Sequence, residues 1–533
     1  MSFFRLTRHC GLRSSGIACL LAAALLLGST GVLRAQYRDK AFADGELLVK
    51  VKHGATERAG SAIAAAGASV AERLRGSEWI TIRIPKGMTV RQAEAIFGSK
   101  NWVEAAQPNF YYRLQVTPDD TRFADMWGMA KISAPTAWDK ETGSADTVVA
   151  VIDTGIQYTH EDLSDNIWTN PGEIPGNGVD DDGNGFIDDI HGYDFFFNDP
   201  DPLDEHGHGT HTAGTIGAVG NNMLGVTGVN WNVSLMAIKI YDASGFGTTS
   251  AMLINAYNYV RLMKERGVNL RVTNNSYGGC PEACGYDRAT LEALEALGDA
   301  GVLNVFAAGN DGRNTDSAPF YPASYELATI VSIASSTSTD AKSSFSNFGI
   351  DSVDLAAPGS SILSTTMTGT GYGTMSGTSM ATPHVAGAAA LIASHFPSMS
   401  NLSLKATILN NIDRLAAWDG VVRTGGRLNV AAALANPTVC AYSLSANSLS
   451  ATTKGGIYSL QVDAPANCGF SVQSSERWIF PVDGRYSAGP GTVLLRVTVN
   501  PTISRSGTVS VAGMEVKVAQ SRLNSPGGFS NYR

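Results

Sequence analysis

The sequence predicts an α/β domain built on a parallel sheet, preceded by a small α+β unit and followed by an all-β sandwich. Three observations carry this. A chain of 533 residues has room for about three domains, one of them with a large core. Its middle alternates near-continuous apolar runs with helical stretches, as strands covered on both faces do. After Asn436-Pro437 the composition turns to Ser, Thr, Val and Gly, in short strand-like segments broken by turns. Hydrophobic residues at 44% against 16% charged describe a packed chain, not a disordered one. A net charge of −9 supplies no basic field and argues against nucleic acid as a partner.

Residues 1–36 read as a secretory leader: Arg5, Arg8 and Arg13, then an apolar run from Ile17 to Leu27, then small residues up to Ala35-Gln36. That run is too short to span a bilayer, so no membrane attachment is expected once the leader is cut, an uncleaved anchor being the alternative. Cys10 and Cys19 leave with the leader. The other four cysteines form two sequence-close pairs, Cys280/Cys284 and Cys440/Cys468. Two disulfides in an oxidising compartment is the simpler reading, with a zinc site as the alternative.

From about Tyr37 to Leu114, strands at Glu46–Lys52 and Trp79–Ile84, helices at Glu57–Ala66 and Val90–Phe97 and an extended piece at Val103–Tyr112 make the small α+β unit. In the middle region, 116–436, strands are expected at Thr147–Ile152, Ser234–Ile238, Val302–Ala307 and Thr329–Ile333. Helices are expected over Thr248–Glu265 and Asp287–Ala300, each opening on an N-cap residue type and ending near a glycine. Strands at Ile457–Val462, Val493–Val499, Thr508–Val511 and Glu515–Val518 make a sandwich over 437–522, and 523–533 is a polar tail.

Ligands of parallel sheets bind beyond the carboxyl ends of strands, so polar residues just after the apolar runs are the ones to inspect. Asp153 ends one such run and either caps a helix or orients a catalytic base. His206, His208 and His211 stand in Glu205-His-Gly-His-Gly-Thr-His-Thr-Ala-Gly-Thr215, a cluster that could hold a metal, although no H-E-x-x-H is present. Ser379 opens a stretch that is apolar on every side through Ile392, a buried helix with a serine at its exposed start. Pro383 conflicts with that helix, because proline removes a backbone bond, and places the helix start later. A nucleophilic serine needs a base, a group to orient the base and donors for the oxyanion. Asp, His and Ser follow one another here in the order known from subtilisin.

The blocks Val149-Ala-Val-Ile-Asp-Thr-Gly155, His206-Gly-His-Gly-Thr-His-Thr-Ala-Gly214 and Gly377-Thr-Ser-Met-Ala-Thr-Pro-His-Val-Ala-Gly387 closely resemble the subtilisin-like serine proteases, the subtilases. The resemblance implies a three-layer subtilisin-like fold and a secreted serine endopeptidase acting on proteins or peptides. It makes Asp153 the orienter, His208 the general base and Ser379 the nucleophile. Ala307-Ala-Gly-Asn-Asp-Gly312 is similar to the family's oxyanion segment, with Asn310 as side-chain donor beside the Ser379 N–H. Ser276, Tyr277 and Gly278 are implied as one wall of the substrate cleft, Ala308 and Gly309 as the other. Phe320 falls near the floor of the specificity pocket, where a bulky ring shortens it or simply packs.

Asn177–Asp189 contains D-x-D-x-N-G, half of a hard-cation loop, with Asp180, Asp182 and Asn184 as oxygen ligands, Gly185 at the turn and calcium as the natural occupant. His191 stands where an EF-hand has Glu, so Asp188 or Asp189 must close the shell; a solvated acidic turn is the alternative. No organic cofactor is implied. The resemblance makes residues 37–115 an inhibitory propeptide, cut off by autoprocessing between Tyr111 and Val116. The C-terminal module, with Cys440, Cys468 and Trp478, is similar to BACON-type immunoglobulin-like domains, which implies carbohydrate as a ligand, with Trp478 either a sugar platform or core. Competing functions are a catalytically silent adhesin and a metal-dependent hydrolase using the histidine cluster.

Overall fold

The computed structural model describes residues 42–111, 116–279, 287–367, 371–482, 486–500 and 503–521. The leader, Cys280, Cys284, residues 112–115 of the processing junction and the tail lie outside them. The described residues form two compact units that divide between Gln115 and Val116. No helix among them is long and apolar enough to cross a membrane.

In the first unit β1 (Phe42–Val51), β2 (Ser69–Arg73), β3 (Trp79–Arg83) and β4 (Val103–Phe110) form an antiparallel sheet in the order β2-β3-β1-β4. Alternation along β1 sends Leu47, Val49 and Val51 into a core with Ile63 and Phe97 from the helices Thr56–Ala65 and Val90–Gly98. The second helix opens on a capping box between Thr89 and Gln92. The extra strand β2, Ser-Val-Ala-Glu-Arg, carries one half-buried apolar residue, which is why no pattern announces it.

The second unit holds a nine-stranded sheet made of β5 (Gly143–Asp153), β6 (Gly192–Asp194), β7 (Asn232–Lys239), β8 (Leu270–Asn275), β9 (Leu303–Ala307), β10 (Ile330–Ser336) and β11 (Leu355–Pro358), with β14 (Ile412–Arg414) and β15 (Gly426–Leu428). A separate hairpin pairs β12 (Ile362–Thr365) with β13 (Tyr372–Met375). The sheet order is β14-β15-β11-β10-β9-β8-β5-β7-β6, parallel throughout except for β14. Successive residues of β5 feed two cores. Val149 and Val151 face the helices His208–Gly217 and Thr378–His395, while Val148, Ala150 and Ile152 face Ser250–Glu265 and Arg288–Asp299. Helices on both faces of a parallel sheet make the three layers. Thr249 and Asp287 cap the latter two helices through Met252 N and Thr290 N.

Beyond residue 442 two sheets, β16 (Ser443–Leu444), β18 (Gly456–Asp463), β20 (Ile479–Pro481) and β22 (Gly491–Val497) against β17 (Ser448–Ala451), β19 (Gly469–Ser474), β21 (Tyr486–Ala488), β23 (Arg505–Val511) and β24 (Met514–Gln520), enclose one core. Leu460 and Val462 meet Val516 and Val518 there by strict alternation. Trp478 packs onto this core, with the Arg505 guanidinium 4.3 Å over its ring and its Nε1 donating to Glu476 (2.8 Å). Cys440 and Cys468 form a disulfide, and the Cys440 N–H donates to Ser403 of the helix Asn401–Asn410 (3.0 Å), binding the sandwich to the α/β region.

Candidate active site

The sheet order reverses at β5, which has β7 on one side and β8 on the other. Ligand crevices form at such switch points, beyond the strands' carboxyl ends. Asp153 is the last residue of β5, Ser276 follows β8, and Ala307 ends β9. The helices His208–Gly217 and Thr378–His395 pack against each other and place His208 and Ser379 at or next to their first positions. Together these elements enclose a cleft of about 290 Å³ that Asp153, His208, Asn310 and Ser379 all line. A larger cavity of about 600 Å³, between the α/β region and the sandwich, contains none of the four.

Asp153 is almost fully buried, and its Oδ1 accepts from His208 Nδ1 at 2.7 Å and from Thr154 N at 2.8 Å. It therefore holds an imidazole and caps only Thr154 N. His208 keeps 24% of its side chain exposed, so its other nitrogen faces the cleft. Burial opposes the charged imidazolium, but the Asp153 charge and hydrogen bond, with Asp204 adding to them, hold the His208 pKa above its ordinary 6.5. Asp204 also fixes the backbone there. Its carboxylate accepts from the N–H groups of His206, Gly207 and Thr210 and from the hydroxyls of Thr154 and Thr210, at the positive end of the histidine's helix. Sequence reasoning missed Asp204, although an acidic residue just before a helix is a legible signal.

The helix Thr378–His395 starts at the serine block and runs through Pro383 without ending, so the later start is corrected. The reason lies four residues back. Proline has no N–H for the Ser379 carbonyl, and the Ser276 hydroxyl donates to that carbonyl instead, at 2.9 Å. In return the Ser379 hydroxyl donates to the Ser276 carbonyl at 3.0 Å. Asn310 Oδ1 accepts from both Thr378 N and Thr378 Oγ1 at 2.9 Å, which leaves its amide N–H groups for the cleft. Asn310 Nδ2 and Ser379 N lie 3.6 and 3.5 Å from the point where a Gly377 side chain would begin, so two donors converge beside the serine.

Ser276, Tyr277, Gly278 and Gly309 line the cleft as expected, and so does Phe320. Ala308 does not. Alternation turns it into a buried cluster with Val353, Ala356 and Trp418, and Ala307 faces the cleft in its place. Gly309 has φ +99°, and a Cβ there would stand 2.4 Å from Asn347 Nδ2, so only glycine fits. Of the other histidines, His206 lines the cleft, while His211 is buried and engages the Ile362 carbonyl (2.9 Å). Burial lowers its pKa to about 4. The three histidines do not form a common site.

In the acidic insertion, Glu173, Asp182 and Asp189 bring oxygens within 4.8 Å of one another. Asp189 is fully buried; burial pushes it up to about 6, with the Asp182 charge adding, against hydrogen bonds from Tyr259, Asn170 and Asn184. Three converging carboxylates, one out of contact with water, suit a hard divalent cation. Of the residues expected to bind it, Asp182 and Asp189 are in this cluster. Asn184 adjoins it and donates to Asp182 and Asp189. The carboxylate of Asp180 adjoins that of Asp182, both accepting from Asn184 N, and it also accepts from Gly185 N, while the carboxylate of Asp188 closes the turn at Asn177 N and Gly178 N. Glu173 was missed because it precedes the motif, reaching it through Asp182 N and Asp188 N.

Known proteins match this arrangement. The subtilase family model matches residues 144–453, and the fervidolysin N-terminal prodomain model matches residues 32–109. The chain is 33% identical over 404 residues to a thermophilic serine proteinase of Bacillus sp. (strain AK1), covering 74% of this chain and 89% of that protein. It is 39% identical over 314 residues to thermitase of Thermoactinomyces vulgaris, covering 59% of this chain and 97% of that one. An extracellular protease of Xanthomonas campestris is 35% identical over 344 residues, covering 58% and 55%. With the sheet, the cleft and these matches in agreement, the chain belongs to the subtilase family of serine peptidases and carries an N-terminal prodomain of the fervidolysin type.

Proposed function

We propose that this peptidase is secreted and cuts proteins or peptides through Asp153, His208 and Ser379, after releasing its own prodomain. The reading rests above all on the 2.7 Å contact between His208 Nδ1 and Asp153 Oδ1, in the cleft that also holds Ser379 and Asn310. Ser379 Oγ attacks the scissile carbonyl carbon while the free nitrogen of His208 takes its proton. Asp153 holds the imidazole in the required tautomer and stabilises the imidazolium. The carbonyl oxygen, now negative, accepts from Asn310 Nδ2 and Ser379 N. His208 returns the proton to the departing amine, and water repeats the sequence on the acyl-enzyme. Until its release, the prodomain acts as inhibitor. An extracellular protease among the relatives favours secretion.

Calcium held by Glu173, Asp182 and Asp189 fixes the insertion between β5 and the helix of His208, a structural role. The proposal is tested by exposing the purified protein to a small sulfonyl fluoride and mapping the adduct by mass spectrometry. Modification of Ser379 with loss of casein hydrolysis is the expected result. Full hydrolysis by Ser379→Ala would sink it.

A further inference from the structure

The two walls of the cleft end on glycines, and one aromatic ring lies between them. A Cβ on Gly278 would stand 2.5 Å from Phe320 Cε1, one on Gly279 2.4 Å from Cε2, and one on Gly309 2.9 Å from both Cδ2 and Cε2. Gly278 and Gly279 continue β8, whereas Gly309 follows the neighbouring strand β9, so the ring bridges the gap. It is not a loosely hung side chain. Phe320 is 9% exposed and packs into the buried cluster with Phe306, Tyr325 and Leu327. Its own N–H donates to Ser324 Oγ, and the next carbonyl, that of Tyr321, accepts from Gly279 N, both at 2.9 Å. Swinging the ring out would break this packing on both sides.

The position of the gap decides what it receives. The donors Ser379 N and Asn310 Nδ2 fix where the scissile carbonyl oxygen sits, and Ser379 Oγ fixes its carbon. The residue that owns that carbonyl carries its side chain on the adjoining Cα, and Ser276, Gly278, Ala307 and Gly309 line the same cleft as the two donors, so the space between them is within that side chain's reach. We propose that Phe320 closes the floor of this space, so that the enzyme cuts after residues with short side chains, such as Ala or Ser, and rejects Phe, Tyr and Leu there. This rests on the serine-peptidase reading above. The rest of the cleft is bordered by other residues, among them His206, Tyr241 and Ser244, so the restriction is proposed for this one substrate position.

The test uses two peptide series, identical except for Ala or Phe before the scissile bond, with the protein purified from expression of the full chain. The wild type is expected to favour Ala over Phe in kcat/KM by at least about tenfold, the scale on which a filled pocket discriminates. Phe320→Ala is expected to move that ratio towards Phe by a similar factor, and Phe320→Leu to lie between. The leucine variant keeps the core filled and settles the matter should the alanine variant fail to fold. Equal or faster cleavage after Phe by the wild type overturns the inference, as does an unchanged ratio in folded variants. The small sulfonyl fluoride needs no side-chain pocket and separates the two ideas. Modified Ser379 with no Ala preference defeats the pocket alone; unmodified Ser379 defeats both.

Discussion

At the scale of single residues, the nucleophile is held by an exchange between two serines. Pro383 deprives the Ser379 carbonyl of its helical partner, and Ser276 Oγ supplies one (2.9 Å). Ser276→Ala therefore leaves a half-buried carbonyl without its partner at the turn that carries the attacking oxygen, a loss of about 0.5–1.5 kcal/mol. The displaced serine should show as a fall in kcat of about ten- to a hundredfold, with KM changed only a few-fold, read by steady-state kinetics beside a thermal melt. The histidine makes a second prediction. Attack needs a neutral imidazole, and Asp153 outweighs burial to keep the His208 pKa above 6.5. Activity in the wild type must fall as pH drops through a value above that of a free imidazole. Asp153→Asn removes the charge and leaves burial, which disfavours the imidazolium. The acid limb of kcat/KM should move to lower pH, while the plateau drops by about 10⁴-fold. An acid limb that stays in place would show that Asp153 does not face the titrating base.

At the scale of elements, the insertion between β5 and β6 brings together three carboxylates that repel one another. A cation offsets that repulsion. Calcium at a hundred times its dissociation constant stabilises the folded chain by about 2.7 kcal/mol, so EDTA should lower the melting temperature by several degrees. Asp182→Asn with Glu173→Gln should abolish that dependence, while Asp188→Asn, whose carboxylate closes a surface turn, should preserve it. Here the sequence was half legible. D-x-D-x-N-G announced a cation loop, yet which carboxylates converge is set by how the turns close, and Glu173 enters from outside the motif. The fold divides the same way. β5, β7, β9 and β10 are buried on both faces and read as apolar runs, and the helices Ser250–Glu265 and Arg288–Asp299 announce themselves by their caps. β14 and β15 have three residues each, as does β21, which runs into Gly489-Pro490, all too short for a period to appear. At the cleft, Asp153, His208 and Ser379 could be singled out in the sequence because each stands near a glycine, and at Gly155 and Gly209 a Cβ would meet neighbouring backbone at 2.5 and 2.1 Å. Ala308 was misassigned by a single step of strand alternation.

At the scale of the whole molecule, one chain has to carry a peptidase and its own inhibitor past the moment of folding. The described residues divide between Gln115 and Val116, and the backbone N–H of Val116 donates to Asp139 Oδ1 at 2.9 Å. Cleavage at that point would turn this N–H into an α-ammonium facing a carboxylate, a charge-assisted bond stronger than the amide one it replaces. That makes Val116 the expected first residue of a chain cut at this point. Being exposed, the new ion pair adds only about 0.2–1 kcal/mol, so it biases the new end without driving maturation. The proposed driver is self-cleavage by Ser379. Wild-type chain and Ser379→Ala, expressed in parallel, should part company in intact mass and N-terminal sequence. The wild type should begin at Val116, whereas the variant should keep residues 37–115 covalently attached. Adding a trace of mature enzyme to the variant separates the two routes by which the bond could break. If the variant remains joined alone but is cut at Val116 by the added enzyme, the junction is a substrate and Ser379 is its usual cleaver. If the variant matures unaided, another protease does the cutting and self-processing is refuted.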